Sequence, residues 1–600
     1  MCGIAGYTNL FNKKESINEE LLKKMGAVLA HRGPDGSGLW KSDEHQVGFA
    51  HRRLSIIDLS PAGAQPMTNK RKTVIVCFNG EIYNYKELRN ILESKNHTFS
   101  TRTDTEVLVH AYEEWGINFL EKLDGMFAIA IFDTIKEELF LIRDRIGIKP
   151  LYFTSQNGFL SFASEIKALW QLSWNKKETS DYAFYNYLTF MVAPAPHTIY
   201  KDVFKLQAGH YAKINKNKKL TLHEWYTPIK QISPEEKKLL NNENFCIERI
   251  RNLLQKSTKK RMISDVPFGA FLSGGIDSSL NVALMANEVK KVKTFTVAFS
   301  DAPESSELRW ARIIAKRFDT DHHEIIISQK EALKFYNKMI YHLDEPLADC
   351  VCIPFYYVAK LAKDSGVTVV QVGEGSDELF FGYNIYAQYY KLNKLFWRPA
   401  KALLPEFAKK LLYKVGKKFF AHKPNITDTL HKLSKNQNLF WGGAIAFNED
   451  QKRDFFDNNI KKDFSSHEIV SNYFSKLNKK SPNASFIQKV MYLELKQRLP
   501  ELLLMRADKM SMATNVEARV PFLDHKLVEF AFHIPDHIKF KNKIPKYILK
   551  KACEGILPKE IIYRKKVGFA APIVQWDQNS NSYGDALQKW VLNVYKASEK

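Results

Sequence analysis

Short runs of β-branched and aromatic residues, each about one strand long, dominate the start of this 600-residue chain. Val74–Phe78, Met126–Phe132, Glu138–Arg143, Leu151–Phe153 and Leu160–Ala163 read as strands, and Ile17–Leu29 and Glu106–Trp115 carry helical spacing. Strands with a few helices between them predict a layered α+β domain built on antiparallel sheets, over 1–215. A solvated Lys/Asn-rich stretch ending in Ser233-Pro234-Glu235-Glu236 reads as a linker over 216–243. The pattern then changes. Gly269–Leu272, Thr294–Phe299, Glu324–Ser328 and Val367–Val372 are apolar runs separated by helical stretches, one of them from Leu280. Such alternation predicts an α/β domain with a parallel sheet over 244–600, mostly helical beyond Gly382.

Composition narrows the class. Hydrophobic residues at 45% and charged residues at 26% are globular values. The densest apolar stretch, Gly125–Phe132, is strand-sized, far from the ~18 residues of a membrane span. Met1-Cys2-Gly3-Ile4 has neither a basic nor an apolar leader region, and six cysteines make no disulfide framework, so a cytoplasmic protein is expected. The formal charge of +23 suggests an anionic partner, yet residues 1–200 hold 23 basic and 23 acidic side chains. The whole surplus lies further along, which again divides the chain in two.

Cys2 changes the picture most. Removal of Met1 would give it both a thiol and a free α-amine; the amine titrates near ~7.7–8.0 and can serve as base for the thiol. Around it stand His31-Arg32-Gly33-Pro34-Asp35-Gly36, Arg53-Leu54-Ser55-Ile56, Asn79-Gly80-Glu81-Ile82-Tyr83-Asn84 and Thr103-Asp104-Thr105-Glu106, with Asp124-Gly125-Met126-Phe127 and Arg143-Asp144-Arg145 beyond. Taken singly, Asn79-Gly80 could be a hairpin turn and Asp104 a helix N-cap. Together these words resemble the glutaminase domain of class II, N-terminal-nucleophile amidotransferases, an αββα sandwich. The resemblance implies that Cys2 attacks the glutamine amide, with Asn79 and the Gly80 amide as oxyanion hole. It also implies that Arg53 meets the glutamine carboxylate, that Asp104 meets its α-ammonium, and that Glu81 belongs to the same binding set. Arg52 rivals Arg53.

Ser273-Gly274-Gly275-Ile276-Asp277-Ser278-Ser279 lies between a strand and a helix, where glycines let backbone amides approach a phosphate. It lacks the Gly-Lys-Ser/Thr of a Walker loop and resembles the PP-loop of ATP pyrophosphatases, which cleave ATP between the α and β phosphates. Gly373-Glu374-Gly375-Ser376-Asp377 follows an apolar run, hence at the C-terminal end of a parallel strand. Asp277 and Asp377 are the expected Mg²⁺ ligands and Glu374 the expected base.

The whole chain then resembles the glutamine-dependent asparagine synthetase B family. That resemblance implies adenylation of a carboxylate by ATP and ammonia passed between the two domains. It places Leu272, Ser273, Gly274, Gly275, Ser278, Val297, Gly373 and Lys546 at the nucleotide, treats Arg506–Met510 through Asp524 as helical wall and tunnel support, and implies a homodimer. Aspartate is the default acceptor. Val372, where many members carry serine, leaves room for a related group thought to amidate uronic acids of cell-surface polysaccharides (O-antigen or capsule).

Residues 391–423 hold ten Lys/Arg against one acid, Glu406, with Leu404, Phe407, Leu411, Val415 and Phe419 at helical spacing. Two readings stand: a helix packed by its apolar face on the core, or a peripheral contact with an anionic membrane. No recognition fold accompanies the charge, so nucleic acid is not expected.

Overall fold

The computed structural model describes residues 2–9, 16–215, 217, 219–303, 307–452, 455–456, 464–566, 571–576, 580 and 582–599. Strands β1 (Gly3–Asn9), β2 (Gly36–Ser42), β3 (Val47–Arg53), β4 (Met67–Thr68), β5 (Val74–Ile82), β6 (Gly125–Asp133), β7 (Glu138–Arg143), β8 (Tyr152–Gln156), β9 (Phe159–Ala163), β10 (Val203–Lys205), β11 (His210–Ile214) and β12 (Leu220–Glu224) make two sheets. One runs β10-β8-β9-β1-β3-β2 and the other β12-β11-β7-β6-β5-β4, with antiparallel pairing throughout. Ile4, Phe49 and Phe162 of the first sheet share a core with Ile75, Ala130 and Leu141 of the second. Helix Glu19–Ala27 packs on β3 from outside, and helix Asp104–Trp115 on β5. The result is the αββα sandwich. From Met126 to Asp133 every residue of β6 is buried, because one face meets the other sheet and the opposite face meets helices; strict apolar–polar alternation is therefore absent.

Local chemistry sets the helix ends. Asn18 accepts from the Glu20 and Leu21 amides, and Thr103 accepts from the Thr105 amide. Thr103, not Asp104, is the N-cap, which leaves the Asp104 carboxylate for another role. Strand β12 falls inside the stretch read as linker and pairs with β11 (His210 opposite Glu224). A solvated Lys/Asn hairpin turn has the composition of a linker, so the two look alike in sequence.

Beyond helix Glu243–Lys260 come β13 (Phe268–Phe271), β14 (Lys293–Phe299), β15 (Asp321–Ile327), β16 (Val369–Gln371) and β17 (Glu517–Arg519). They form one sheet of order β15-β14-β13-β16-β17, parallel at every pair. The chain winds outward in both directions from the β13/β16 pair, which makes that boundary the switch point where open parallel sheets bind ligands. Helix Ile276–Ala286 starts directly after the glycine loop, four residues before the expected Leu280. Strand β17 is a correction too, since Glu517-Ala518-Arg519 had read as part of a helical word. Two charged residues in three hide a buried parallel strand, and ion pairing within the strand makes it possible: Arg519 Nε donates to Glu517 at 2.6 Å.

Candidate active sites

The first cavity opens where β1, β3 and β5 end, and is lined by Cys2, Arg53, Gly80, Glu81, Asp104 and Glu517, among others. Asn79 stands behind it, fully buried. Its Oδ1 accepts from the Cys2 backbone nitrogen at 3.0 Å, while its Nδ2 is buried without a hydrogen-bond partner. An orphaned donor in that position costs roughly 1–3 kcal/mol until something accepts from it. Gly80 must be glycine: a Cβ there would sit 2.1 Å from the Met126 carbonyl oxygen of the neighbouring strand. Burial pushes the Cys2 thiol up. Along β3 consecutive side chains point to opposite faces. Arg52 turns away and donates to the Gly26 carbonyl at 3.0 Å, whereas Arg53 lines the cavity and is held by the Ser60 carbonyl at 2.7 Å.

The acids of this cavity are under strain from desolvation. Burial raises Asp104 to about 7, although it accepts from the Ile82 amide at 3.0 Å. Burial also raises Glu81, whose Oε1 has no partner and whose Oε2 accepts from Arg519 at 3.0 Å. Against the upward push of burial, Arg519 holds Glu517 at about 2. Glu517 and Arg519 both come from β17, so the parallel sheet of the second domain completes a cavity in the first. Sequence reasoning missed both, and only their charged place in a buried strand could have signalled them.

The second site is a cleft of about 1440 Å³ at the C-terminal ends of the parallel strands. Leu272, Ser273, Gly275, Asp277, Ser278, Val297, Gly373, Glu374, Asp377 and Lys546 all lie on its wall, brought together from positions far apart in the chain. Gly274 does not: its φ is +67°, and a Cβ would meet Trp310 Cβ at 2.4 Å, so it shapes the loop from behind. Ser273 and Ser278 hydroxyls lie 3.1 Å apart and close the loop on itself. A Cβ on Gly373 would fall 2.9 Å from Asp277 Cβ, so the glycine loop and the acidic loop touch.

Lys546 Nζ donates to Asp277 at 2.6 Å and lies 2.9 Å from Asp377. Against burial, Lys546 and Lys566 hold Asp377 well below the usual carboxylate range, while the two aspartates hold Lys546 above its own. Two carboxylates that already share one cation are an oxygen donor set suited to Mg²⁺. Glu374 accepts from Arg506 Nη2 at 2.7 Å, and Arg506 also pairs with Asp349. The Arg506–Asp349 pair had no signal of its own in the sequence.

Helix Leu504–Met512 links the two sites. Arg506 reaches Glu374 in the cleft. Two residues on, Asp508 accepts from Arg32 at 2.8 Å, and Arg32 donates to the Cys2 carbonyl at 3.1 Å. Arg32 is fully buried and also bonds Glu165 at 2.8 Å.

A sandwich domain presenting a cysteine beside an amide side chain, followed by a parallel-sheet domain with a glycine-rich anion loop, defines a two-domain amidotransferase architecture. Family models agree: residues 1–226 match the glutamine amidotransferase domain and 249–596 match asparagine synthase. The chain belongs to the asparagine synthase family. It is 38% identical to asparagine synthetase [glutamine-hydrolyzing] 1 of Bacillus subtilis, over 100% of this chain and 90% of the relative. It is 32% identical to a putative asparagine synthetase [glutamine-hydrolyzing] of Mycobacterium tuberculosis, over 92% and 83% respectively. It is 29% identical to asparagine synthetase [glutamine-hydrolyzing] 3 of Bacillus subtilis, over 94% and 86%.

Proposed function

We propose that the chain hydrolyses glutamine in the first cavity and uses the ammonia to amidate an ATP-activated carboxylate in the second. Cys2, with its α-amine freed as base, attacks the glutamine amide; Asn79 Nδ2 and the Gly80 amide receive the oxyanion. Arg53 and Asp104 pair with the two charges of the amino acid, and Glu81 lies beside them. In the cleft, the Ser273–Ser278 loop with Leu272, Val297 and Gly373 holds ATP. Asp277 and Asp377 would hold Mg²⁺, which would neutralise phosphate charge, and Lys546 adds a positive charge of its own. AMP and pyrophosphate leave. Glu374 takes a proton from the attacking nitrogen, and its pairing with Arg506 fixes where its carboxylate points. The first domain runs through β12 to Glu224, beyond the expected boundary at 215, and the second begins with helix Glu243–Lys260. Six free, buried cysteines support a cytoplasmic location. Among the described residues, no helix is long and apolar enough to cross a membrane.

The observation that carries this reading is Asn79, whose Oδ1 holds Cys2 while its buried Nδ2 waits for an acceptor. Aspartate is the acceptor of first choice. A second reading, a larger acid such as a sugar uronate, rests on Val372, an apolar side chain on the cleft wall where many members of the family carry serine. Incubation with ATP, glutamine and either acid, with pyrophosphate measured, decides between them. Aspartate-dependent pyrophosphate and asparagine support the first; release with the uronate alone supports the second; release with neither refutes both.

A further inference from the structure

Helix Glu406–Phe419 is mounted with its apolar stripe outward. Phe407 is 74% exposed, Leu411 58%, Val415 46% and Phe419 66%, and Leu403 just before the helix is 79% exposed. The side turned to the protein is carried instead by Lys409 and Gly416, both buried. Lys409 Nζ donates to the Lys401 carbonyl and to Asn436, so its burial is satisfied. Gly416 lets helix Pro424–Ser434 come close: a Cβ there would lie 2.2 Å from Leu430 Cδ1. The packed-helix reading therefore fails for this helix, although Trp397 and Leu404 ahead of it do pack on a small core with Leu433 and Leu439. An amphipathic helix normally buries its apolar stripe. Here Phe407 and Leu411 share the outward face with Lys410, Lys414 and Lys418, spaced four apart and all exposed. Lys391, Lys394, Arg398, Lys401, Lys417 and Lys423 are exposed around them, against Glu406 as the single acid of 391–423.

We propose that this face docks on an anionic lipid bilayer, the aromatic and leucine side chains entering the headgroup boundary and the lysines meeting lipid phosphates. The combination of apolar and basic groups on one outward surface is what such an interface requires. A second copy of the chain would bring the same lysines against each other, and a nucleic acid has no use for so many bare apolar side chains. Leu412 and Val415 of the helix, with Phe420 and Ile426 just beyond it, also line the cleft. Docking thus sets that part of the cleft wall beside the membrane surface. The proposal stands independently of the amidotransferase reading.

The test is sedimentation of the full chain with phosphatidylcholine vesicles containing or lacking phosphatidylglycerol. Binding is expected to the anionic vesicles at low salt, to weaken as salt is added, and to be slight on phosphatidylcholine alone. Replacing Lys410, Lys414 and Lys418 by Gln should weaken it ~100-fold, at roughly fivefold per lysine near an anionic surface. Phe407→Ser with Leu411→Ser should weaken it on every vesicle that binds. None of these five residues lines either site, so glutaminase rate and melting temperature serve as controls for folding. Failure of the wild-type chain to sediment at low salt overturns the proposal, as does unchanged binding by the triple variant. So does conversion of a dimer to a monomer by the serine variant with vesicle binding intact, or tighter binding to an RNA oligomer than to the vesicles.

Discussion

The two halves of this molecule solve the same problem, positioning charge for a reaction, in opposite ways. In the first, a small cavity is closed by strand ends: a fully buried Asn79 beside Cys2, with Glu81 and Asp104 raised by desolvation. In the second, a wide cleft lies across the switch point of a parallel sheet, and two lysines hold its Asp377 down against burial. One site keeps water out; the other gathers cations. The difference fits a thioester chemistry that must protect ammonia and an adenylation that must tolerate polyphosphate.

Substitutions can break that division. Cys2→Ala should abolish glutamine-driven amidation while free ammonia still supports it; loss of both activities would mean the two sites are not separate. Glu374→Gln should lower amidation ~10²–10⁴-fold, the usual contribution of a general base, with glutaminase unchanged in a direct glutamate assay. Asn79→Ala should reduce glutaminase kcat ~10²–10³-fold, the range for one oxyanion donor, and leave ammonia-driven amidation alone. Asp104→Asn gives the smallest and most specific signal. An acid raised from 3.8 to about 7 by burial is no burden below pH 4, becomes one as pH rises from 4 to 7, and costs no more beyond. The variant should therefore melt above the wild type by a margin that opens between pH 4 and 7 and is flat beyond, even though it binds glutamine poorly. A constant margin would show that burial does not govern Asp104.

The first site was the more legible because its residues sit in short words at strand ends. Cys2, Arg53, Asn79 to Glu81 and Asp104 were singled out by their words taken together, and strand alternation separated Arg53 from Arg52 only once β3 was seen. Strands β5 to β9 were readable from their apolar runs; β1 to β3, with their glycines and polar residues, and the short or polar β4 and β10 to β12 were not. In the second site the glycine and acidic loops announced themselves after apolar runs. Their partners did not: Arg506 and Asp349 acquire meaning only when folding brings them to Glu374. Strand β17 escaped because its glutamate and arginine satisfy each other, and charge in sequence ordinarily argues against a buried strand. The outward stripe of helix Glu406–Phe419 was visible as a pattern, but a pattern cannot say which way a helix is mounted.

Helix Leu504–Met512 grips Glu374 through Arg506 and Arg32 through Asp508, on a single turn of backbone. Any rotation of that turn is felt at both ends. Thermodynamics then imposes a reciprocity: whatever factor by which a filled cleft changes the affinity for glutamine, glutamine changes the affinity of the cleft for its own ligand by the same factor. Two isotherms, each measured with and without the other ligand, must close on one number.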